Sequence, residues 1–388
     1  MEFFRNPNFD FLGKKLYFLG LTALLVVVSL VSLATRGLQY GIDFRGGADV
    51  VVRFAEEPSI DQIRSALGAQ GFGGAQIQRL RLPESPDAKD VLVRVQPQET
   101  AGGQAEEGDI SGQVLTALRS GLDARNPTAG KLDLNITGAT EIRRELLSAL
   151  PGQNSTATSA AEALAAAKDA HGGLFKSLEE ARQTPGLSPD VSAWLRDHAT
   201  TGQFAIRSVD YVGPSVGKEL KKQATWAVVF SLIAMLLYIW LRFEKLSYGV
   251  SAILTLAHDV IVALGAVSLT GKEFDLTVLA AVLTIVGFSI NDTIVIFDRV
   301  RENIRFRRGD NLEKLFNDSI NQTLSRTILT VFLVLMVVIT LWLFGGSRLN
   351  AFSFTLLVGI ISGSYSTIYV SSPIVIWWRA LVEKKSTA

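Results

Sequence analysis

Residues 276–297 read LTVLAAVLTIVGFSINDTIVIF, an apolar run in which Asp292 is the only ionisable side chain. The run is long enough to cross the bilayer core as a helix, since a thickness of about 30 Å takes roughly 20 residues. The whole chain fits this setting, because 48% of its 388 residues are hydrophobic and only 19% are charged. The composition therefore favours an integral membrane protein over a soluble enzyme.

Five further runs have the same character, so the sequence predicts six transmembrane helices. We expect spans at about 16–34, 224–241, 248–269, 276–297, 327–344 and 352–370 or slightly beyond. A cleaved signal peptide is the alternative for the first run, because Ser32-Leu33-Ala34 resembles a cleavage site. The run is longer than the usual h-region of about 7 to 15 residues, which favours a retained helix.

The distribution of Lys and Arg predicts the orientation in the membrane. The short loops on one side contain only Lys272 and Arg348. The other side contains Arg5, Lys14, Lys15, Arg242, Lys245, Arg299, Arg301, Arg305, Arg307, Arg308, Lys314, Arg379, Lys384 and Lys385. We therefore expect residues 1–15 and 379–388 to be cytoplasmic and the long polar segment, residues 35–223, to lie outside.

The long polar segment has the pattern of a small α+β domain. We expect strands at Val50–Phe54, Ala75–Leu82, Val91–Val95 and Phe204–Val209, with helices after a Ser59 N-cap and at Val114–Leu122. That order is typical of a ferredoxin-like fold, interrupted by a helical insertion at about 138–202. The predicted fold class is thus an α-helical polytopic membrane protein with an extracytoplasmic α+β ferredoxin-like domain.

Several function classes are disfavoured by what the sequence contains. Thirty-eight Lys and Arg nearly balance 37 Asp and Glu, so no bulk positive field would attract nucleic acid. The chain has no Cys and only three His, and it contains neither a GxxxxGK[ST] loop nor an HExxH helix. We therefore expect no catalytic residues, no metal, no cofactor and no nucleic-acid partner.

Ionisable groups at membrane depth are costly and need a partner or a function. Asp292 lies about five residues inside the cytoplasmic end of its span, and Arg326 precedes the next span, so the two are expected to approach each other. Burial favours the neutral carboxyl group and a guanidinium favours the ionised one, so the pair is suited to loading and releasing a proton. A structural ion pair, or snorkelling to the surface, is an equal alternative.

A second polar site, His258-Asp259, lies near the middle of the third span. Hydrogen bonds between helices are the favoured interpretation, and a part in a proton relay is the alternative. Ser289 and Asn291, which precede Asp292 on the fourth span, are candidates for the same two roles.

Six segments, in order, resemble the SecF family of the bacterial Sec system, a relative of the resistance-nodulation-division (RND) transporters. The matching segments are Gly41-Ile42-Asp43-Phe44-Arg45-Gly46-Gly47, Val212-Gly213-Pro214-Ser215-Val216-Gly217, Ala257-His258-Asp259, Ser289 to Val295 with Asp298 to Asn303, Gln322 to Thr327, and Gly363 to Ser366. The resemblance covers nearly the whole chain except about 138–202. It implies an RND-like arrangement of the six spans.

The resemblance also implies a function and partners. It implies a heterodimer with SecD that uses the proton gradient to promote polypeptide export, next to the SecYEG channel with SecA and YajC, in the bacterial cytoplasmic (inner) membrane. Contact with the translocating preprotein and the lipid bilayer follows from that role. Asp292 and Arg326 would carry the proton relay, and half of that relay would reside in SecD.

Two glycine-rich motifs flank the polar segment, and we expect them to act in coupling rather than catalysis because glycine and proline permit unusual backbone shapes. Their residues are Gly41, Asp43, Arg45, Gly46, Gly47, Gly213, Pro214 and Gly217. Two alternatives to a proton-driven subunit stay open. The chain could be a structural assembly subunit that conducts no protons, or half of an RND-type exporter of small molecules or lipids.

Overall fold

A computed structural model describes residues 7–82, 85–96, 107–122, 130–242, 246–307 and 309–386. The chain divides into a helical unit, Met1–Phe44 with Glu219–Ala388, and an α+β unit, Arg45–Lys218. Arg5, Lys245 and Arg308, three of the basic residues expected on the cytoplasmic side, lie outside the described residues.

The chain begins in the helical unit, passes through the α+β unit and then returns to the helical unit. The first are α1 (Lys15–Thr35), β1 (Gln39–Tyr40), α2 (Ile42–Arg45), β2 (Gly47–Phe54), α3 (Ile60–Ala69), β3 (Gln76–Leu82), β4 (Ser85–Val95), α4 (Glu107–Leu122), β5 (Leu132–Asp133), α5 (Ala139–Ala149), α6 (Asn154–Ala170), α7 (Leu178–Arg182), α8 (Pro189–His198), β6 (Ala199–Thr200) and β7 (Phe204–Val212). They are followed by α9 (Pro214–Arg242), α10 (Leu246–Thr270), β8 (Glu273–Phe274), α11 (Leu276–Phe306), α12 (Leu312–Phe344), α13 (Gly346–Ser366), a π-helical turn (Thr367–Ser371) and α14 (Ser372–Ser386).

Six helical segments of the described chain are long and apolar enough to cross a membrane, as predicted. They are α1, α9, α10, α11, α12 and the continuous helix Arg348–Leu381, which runs from α13 through the π-helical turn into α14. This sixth segment is longer than the expected span, because the π-helical turn continues the helix instead of ending it. Half or more of the apolar windows of α10, α11 and the sixth segment is buried, so these three form the interior of the helical unit.

Small residues allow the interior helices to pack closely. A Cβ atom on Gly359 of α13 would lie 2.1 Å from Cδ1 of Ile285 on α11, and one on Gly265 of α10 would lie 2.2 Å from Cβ of Ser29 on α1. Apolar attraction between helices is weak in a bilayer, so such close contacts and interhelical hydrogen bonds hold the spans together.

The N-terminal segment 9–12 is fastened to the first part of α12 by two asparagines. The backbone N–H of Phe9 donates to Asn321 Oδ1 at 2.9 Å, and that of Phe11 donates to Asn317 Oδ1 at 2.9 Å. Both asparagine amides donate back to the carbonyl oxygen of Phe9. Leu12 is buried in the core that α10, α11 and α12 share.

The α+β unit contains a four-stranded antiparallel sheet in the order β3-β4-β2-β7. With α3 after β2 and α4 after β4, this is the predicted ferredoxin-like order. Alternate residues of β2, namely Ala48, Val50, Val52 and Phe54, are buried in the core. Ser59 precedes α3 as expected, although its side chain makes no capping hydrogen bond.

Helices α5 to α8 lie between β5 and β6 and have their own apolar core. Pro189 is the first residue of α8, and Ser188 is its N-cap. Pro is favoured at this position because its missing N–H has no partner in a helix anyway. A serine before a proline is therefore a sequence signal for the start of this helix.

Arg53 on β2 joins the sheet to this helical insertion. Its guanidinium donates to both carboxylate oxygens of Asp90 on β4 at 2.7 Å, and it also donates to the carbonyl oxygen of Gly172. The hydrogen bond with Asp90 raises the pKa of Arg53 above its ordinary value, against the effect of burial. Arg207 on β7 also donates to Asp90, at 3.2 Å.

Candidate functional site

Asp259 on α10 is fully buried and is the centre of a hydrogen-bonded cluster within the membrane spans. Its Oδ2 accepts from the hydroxyl of Ser289 on α11 at 2.5 Å and from that of Ser366 on α13 at 2.9 Å. Its Oδ1 accepts from Ser362 on α13 at 2.9 Å and lies 2.9 Å from Nδ1 of His258. One carboxylate thus joins the three interior helices.

The sequence identified His258, Asp259 and Ser289, and the structure adds Ser362 and Ser366 on α13 to this group. The sequence signal for the two serines is their spacing, since residues four apart lie on one face of a helix. A pair of serines on one span can therefore reach the same buried carboxylate on another span. His258 is also buried, and its Nε2 has no hydrogen-bond partner in the described part of the chain.

Asp292 lies on α11 one turn after Ser289, and it is 5% exposed. Its Oδ2 has no hydrogen-bond partner among the described residues. The next residue, Thr293, is buried, and its hydroxyl lies 3.2 Å from that of Thr367 in the π-helical turn. Burying a carboxylate oxygen without a partner is costly, so this group is favoured in its protonated form or in contact with a donor from elsewhere.

Arg326 on α12 is exposed, and it makes no ion pair within 4.0 Å of Asp292 in the described chain. Its charge acts on the Asp292 carboxyl group only through space. Asn291 is exposed on α11 beside the buried Asp292. The sequence expectation that Asp292 and Arg326 meet is therefore not realised as direct contact in this conformation.

The two glycine-rich motifs contact each other at the edge of the α+β unit. Gly47 pairs with Val212 where β2 begins and β7 ends. Gly46 has a positive φ of 74°, and a Cβ atom there would lie 2.9 Å from Cα of Pro214. A larger residue at position 46 would therefore be strained and would push the two motifs apart.

The second motif connects β7 to α9 through one residue, Gly213. Pro214 is the first residue of α9, and the N–H of Gly217 donates to the carbonyl oxygen of Gly213 at 2.9 Å as the first bond of that helix. The strand therefore continues almost directly into a transmembrane span.

Asp43 of the first motif lies in the helical unit, where its Oδ2 accepts a hydrogen bond from the backbone N–H of Leu276 at 3.0 Å. Leu276 is the first residue of α11. Gly41 is buried beside the same helix end, and its N–H donates to the carbonyl oxygen of Phe274 at 3.0 Å. Arg45 is exposed where the chain passes into the α+β unit.

No group of three or more His, Cys, Asp or Glu residues that could hold a metal ion occurs in the described residues. Among the described residues of the spans, the buried acidic and histidine side chains are Asp259, whose oxygens are both bonded, Asp292, whose Oδ2 is unpaired, and His258, and buried hydroxyl groups accompany them. Their chemistry is that of hydrogen bonding and proton exchange.

These features define a multi-pass membrane protein whose interior helices enclose polar groups and whose second unit is ferredoxin-like. The family described as "Protein export membrane protein SecD/SecF, C-terminal" matches residues 192–381, and the "SecD/SecF GG Motif" family matches residues 31–57. The protein translocase subunit SecF of Koribacter versatilis is 40% identical, in an alignment covering 100% of this chain and 96% of that protein. The SecF of Desulfurispirillum indicum is 35% identical over 95% of this chain and 91% of that protein.

Solved structures agree with these relatives. The translocon-associated membrane protein SecDF from Thermus thermophilus is 29% identical with a TM-score of 0.65, and the match covers 97% of this chain. A structure of SecDF in a super-membrane-facing form is 29% identical, has a TM-score of 0.56 and covers 100% of this chain. This chain spans 39% and 41% of those longer chains. The chain belongs to the SecF family of protein translocase subunits, which confirms the resemblance, and its role is in protein transport.

Proposed function

We propose that this chain acts with SecD to use the proton gradient for polypeptide export across the bacterial cytoplasmic membrane. The observation that supports it is Asp292, a buried carboxyl group with an unpaired oxygen inside a transmembrane helix. Intramembrane ionisable groups commonly mark proton pathways, because their burial is too costly to be retained without a use. Asp292 and Arg326 carry the relay in this proposal.

The relay works by changing which partner Asp292 has. Protonated Asp292 is neutral and is accommodated where it is, whereas ionised Asp292 requires a cation nearby. Exposed Arg326 is the cation that approaches when the helices α11 and α12 shift. The gradient supplies about 2.3 kcal/mol per charge for each 100 mV of membrane potential, enough to bias such a shift.

The proposed topology has both termini in the cytoplasm and the α+β unit outside. It rests on the positive-inside distribution of Lys and Arg, in which only Lys272 and Arg348 lie in short outer loops. In that orientation Asp292 lies in the cytoplasmic half of α11, on the side from which protons leave.

The proposed partners follow from the family. SecD is the principal one, because the solved relatives are SecDF chains and this chain spans 39% of the first of them. The SecYEG channel, SecA, YajC and the translocating preprotein complete the assembly in this proposal. The exposed apolar faces of α1, α9 and α12 are available to lipid or to the spans of SecD.

The second candidate is a structural assembly subunit that conducts no protons. The observation that favours it is the Asp259 cluster, in which both carboxylate oxygens are saturated and three helices are joined. A chain whose polar residues serve only such joints would hold SecD and the channel together without taking up protons.

The Asp292→Asn variant separates the two functions. It keeps the shape of the side chain but cannot ionise, so gradient-dependent export of a secreted reporter into inverted vesicles should fall to the level of a deletion. Asp298→Asn is the matched control, since Asp298 lies on the same helix but is only half-buried and pairs with Arg242. Protein level and co-purification with SecD are measured for both.

Loss of export in the Asp292 variant alone, with assembly intact, supports the relay. Unchanged gradient-dependent export at a normal protein level would refute it and leave the structural subunit. Equal loss in both variants would show that the effect is not specific to the buried carboxyl group.

A further inference from the structure

The segment between α1 and the α+β unit, residues 39–44, is attached to the start of α11. We call it the linker segment. Gln39 and Tyr40 pair in parallel with Glu273 and Phe274, so β1 and β8 form a short two-stranded sheet. The N–H of Gly41 extends this pairing by donating to the carbonyl oxygen of Phe274.

Side chains reinforce the attachment. The ring of Phe44 stacks on that of Phe274 with centroids 5.6 Å apart, and the ring of Tyr40 meets Phe274 edge-on at 5.8 Å. Gly41 approaches so closely that a Cβ atom there would lie 3.2 Å from Cβ of Asp275. The linker segment and the residues just before α11 therefore pack as one small body.

Asp43 adds the contact that reaches the helix itself. Its carboxylate accepts a hydrogen bond from the N–H of Leu276, one of the backbone donors that a helix leaves unpaired at its N-terminus. A negative charge is also favourable there because of the helix dipole. The two residues are 233 positions apart in the chain.

Capping alone does not account for Asp43, because α11 has a cap of its own. Asp275 is the N-cap residue, and its Oδ1 accepts from the N–H of Val278 at 2.8 Å. The second carboxylate comes from a different part of the chain, so what it adds is a connection between the linker segment and the helix.

We propose that Asp43 is a positioning residue that makes the linker segment and α11 move as one body. The chain passes into the α+β unit directly after Phe44, so a displacement of that unit pulls on the linker segment. Asp292 lies 16 residues after Leu276 on the same helix, which is about 24 Å at 1.5 Å per residue. The attachment thus transmits motion between the α+β unit and the helix that carries Asp292. This inference rests on the proposed proton-driven function.

Three variants in the complex with SecD test it. Asp43→Ala removes the acceptor, Asp43→Asn keeps an oxygen that can accept from Leu276, and Asp275→Ala removes the helix's own cap but leaves the attachment. Two quantities are measured for each variant, amide exchange of residues 39–44 and gradient-dependent export of a reporter.

We expect Asp43→Ala to speed exchange of the linker segment about tenfold, as loss of one charge-assisted hydrogen bond would. Gradient-dependent export should fall severalfold, while export without a gradient and co-purification with SecD stay at the wild-type level. Asp43→Asn should restore most of both quantities, and Asp275→Ala should keep export. A merely structural role would not produce this split, because both aspartates contact the same helix end.

A disulfide between β1 and β8 can replace the attachment that Asp43 provides and so tests the proposal directly. The chain has no cysteine, so Gln39→Cys with Glu273→Cys introduces one pair at facing positions of β1 and β8. In the Asp43→Ala background, oxidation of this pair should restore gradient-dependent export, and reduction should lower it again to the level of Asp43→Ala. Export that stays low after oxidation, with the cross-link confirmed by mass, would overturn the inference.

The two variants distinguish failure of the coupling role of Asp43 from failure of the proton-driven function. If Asp292→Asn abolishes gradient-dependent export and Asp43→Ala leaves it intact, the coupling role is wrong and the relay stands. If Asp292→Asn leaves export intact, the proton-driven function is wrong. The exchange measurement then still decides whether Asp43 holds the linker segment to α11.

Discussion

Replacement of Asp259 by alanine removes the acceptor that joins α10, α11 and α13. Three hydroxyl groups, those of Ser289, Ser362 and Ser366, donate to it across helix interfaces. Hydrogen bonds between transmembrane helices contribute about 0.6 kcal/mol on average and about 1.7 kcal/mol at most. Loss of all three should therefore lower the free energy of unfolding by about 2 to 5 kcal/mol.

The measurement is unfolding of the detergent-solubilised chain by titration with sodium dodecyl sulfate, followed by tryptophan fluorescence. Asp298→Ala is the control, since its ion pair with Arg242 is partly exposed and such pairs contribute about 0 to 1 kcal/mol. Asp259→Asn should lie between the alanine variant and the wild type, because an amide can bond to some of the three hydroxyls.

The size of the effect depends on the number of hydrogen bonds that Asp259 accepts. If Asp259→Ala unfolds at the same detergent fraction as Asp298→Ala, the cluster does not hold the three helices together. If a Ser362→Ala, Ser366→Ala double variant costs as much as Asp259→Ala, the bond from Ser289 contributes nothing. We expect the double serine variant to lose about two thirds of the free energy of unfolding that Asp259→Ala loses, because it removes two of the three hydrogen bonds.

Three further changes have defined outcomes. Arg53→Ala removes a cation that pairs with the buried Asp90 carboxylate and should lower the free energy of unfolding by about 3 kcal/mol. Amide exchange of β2 and β4 measures this loss. Arg64→Ala, at an exposed ion pair, is the control and should lower it by under about 0.5 kcal/mol. Equal exchange in the two variants would contradict this. The double variant Asn317→Ala, Asn321→Ala should release residues 9–12, so that proteolysis of the N-terminus accelerates about tenfold. An unchanged cleavage rate would show that these asparagine hydrogen bonds do not hold the segment in place. Burial lowers the pKa of Lys168 below its ordinary value of 10.5. As the pH rises toward 10.5, the folded chain therefore loses this proton before the unfolded chain does, and the stability of the α+β unit should rise there relative to Lys168→Gln. A parallel pH dependence in both proteins would oppose that assignment.

The number of spans and the order of the α+β elements could be predicted because both depend on local patterns. A run of about 20 apolar residues is readable without knowledge of its neighbours. The alternation of Ala48, Val50 and Val52 with more exposed residues likewise reports one buried face of a strand. Pro189 alone does not indicate whether a helix begins or ends there, because the effect of a proline depends on its position, whereas Ser188, the N-cap residue before it, marks a helix start.

The partners of the polar residues depended on the tertiary structure. Asp259 and Asp292 look alike in the sequence, each a lone carboxylate in an apolar run, yet one is saturated and the other has an unpaired oxygen. Two of the three serines that donate to Asp259 lie more than 100 residues away, on α13. Periodicity reports which face of a helix is apolar, but it does not report which helix packs against that face.

The first glycine motif shows the same division. The sequence by itself determined that Gly41 to Gly47 follow a transmembrane span and permit unusual backbone shapes, because glycine carries no Cβ atom. Only the tertiary structure decided that Asp43 contacts Leu276, 233 residues further on, at the first turn of the helix that carries Asp292. Contacts at such separation are made by the packing of whole helices, and no local pattern encodes them.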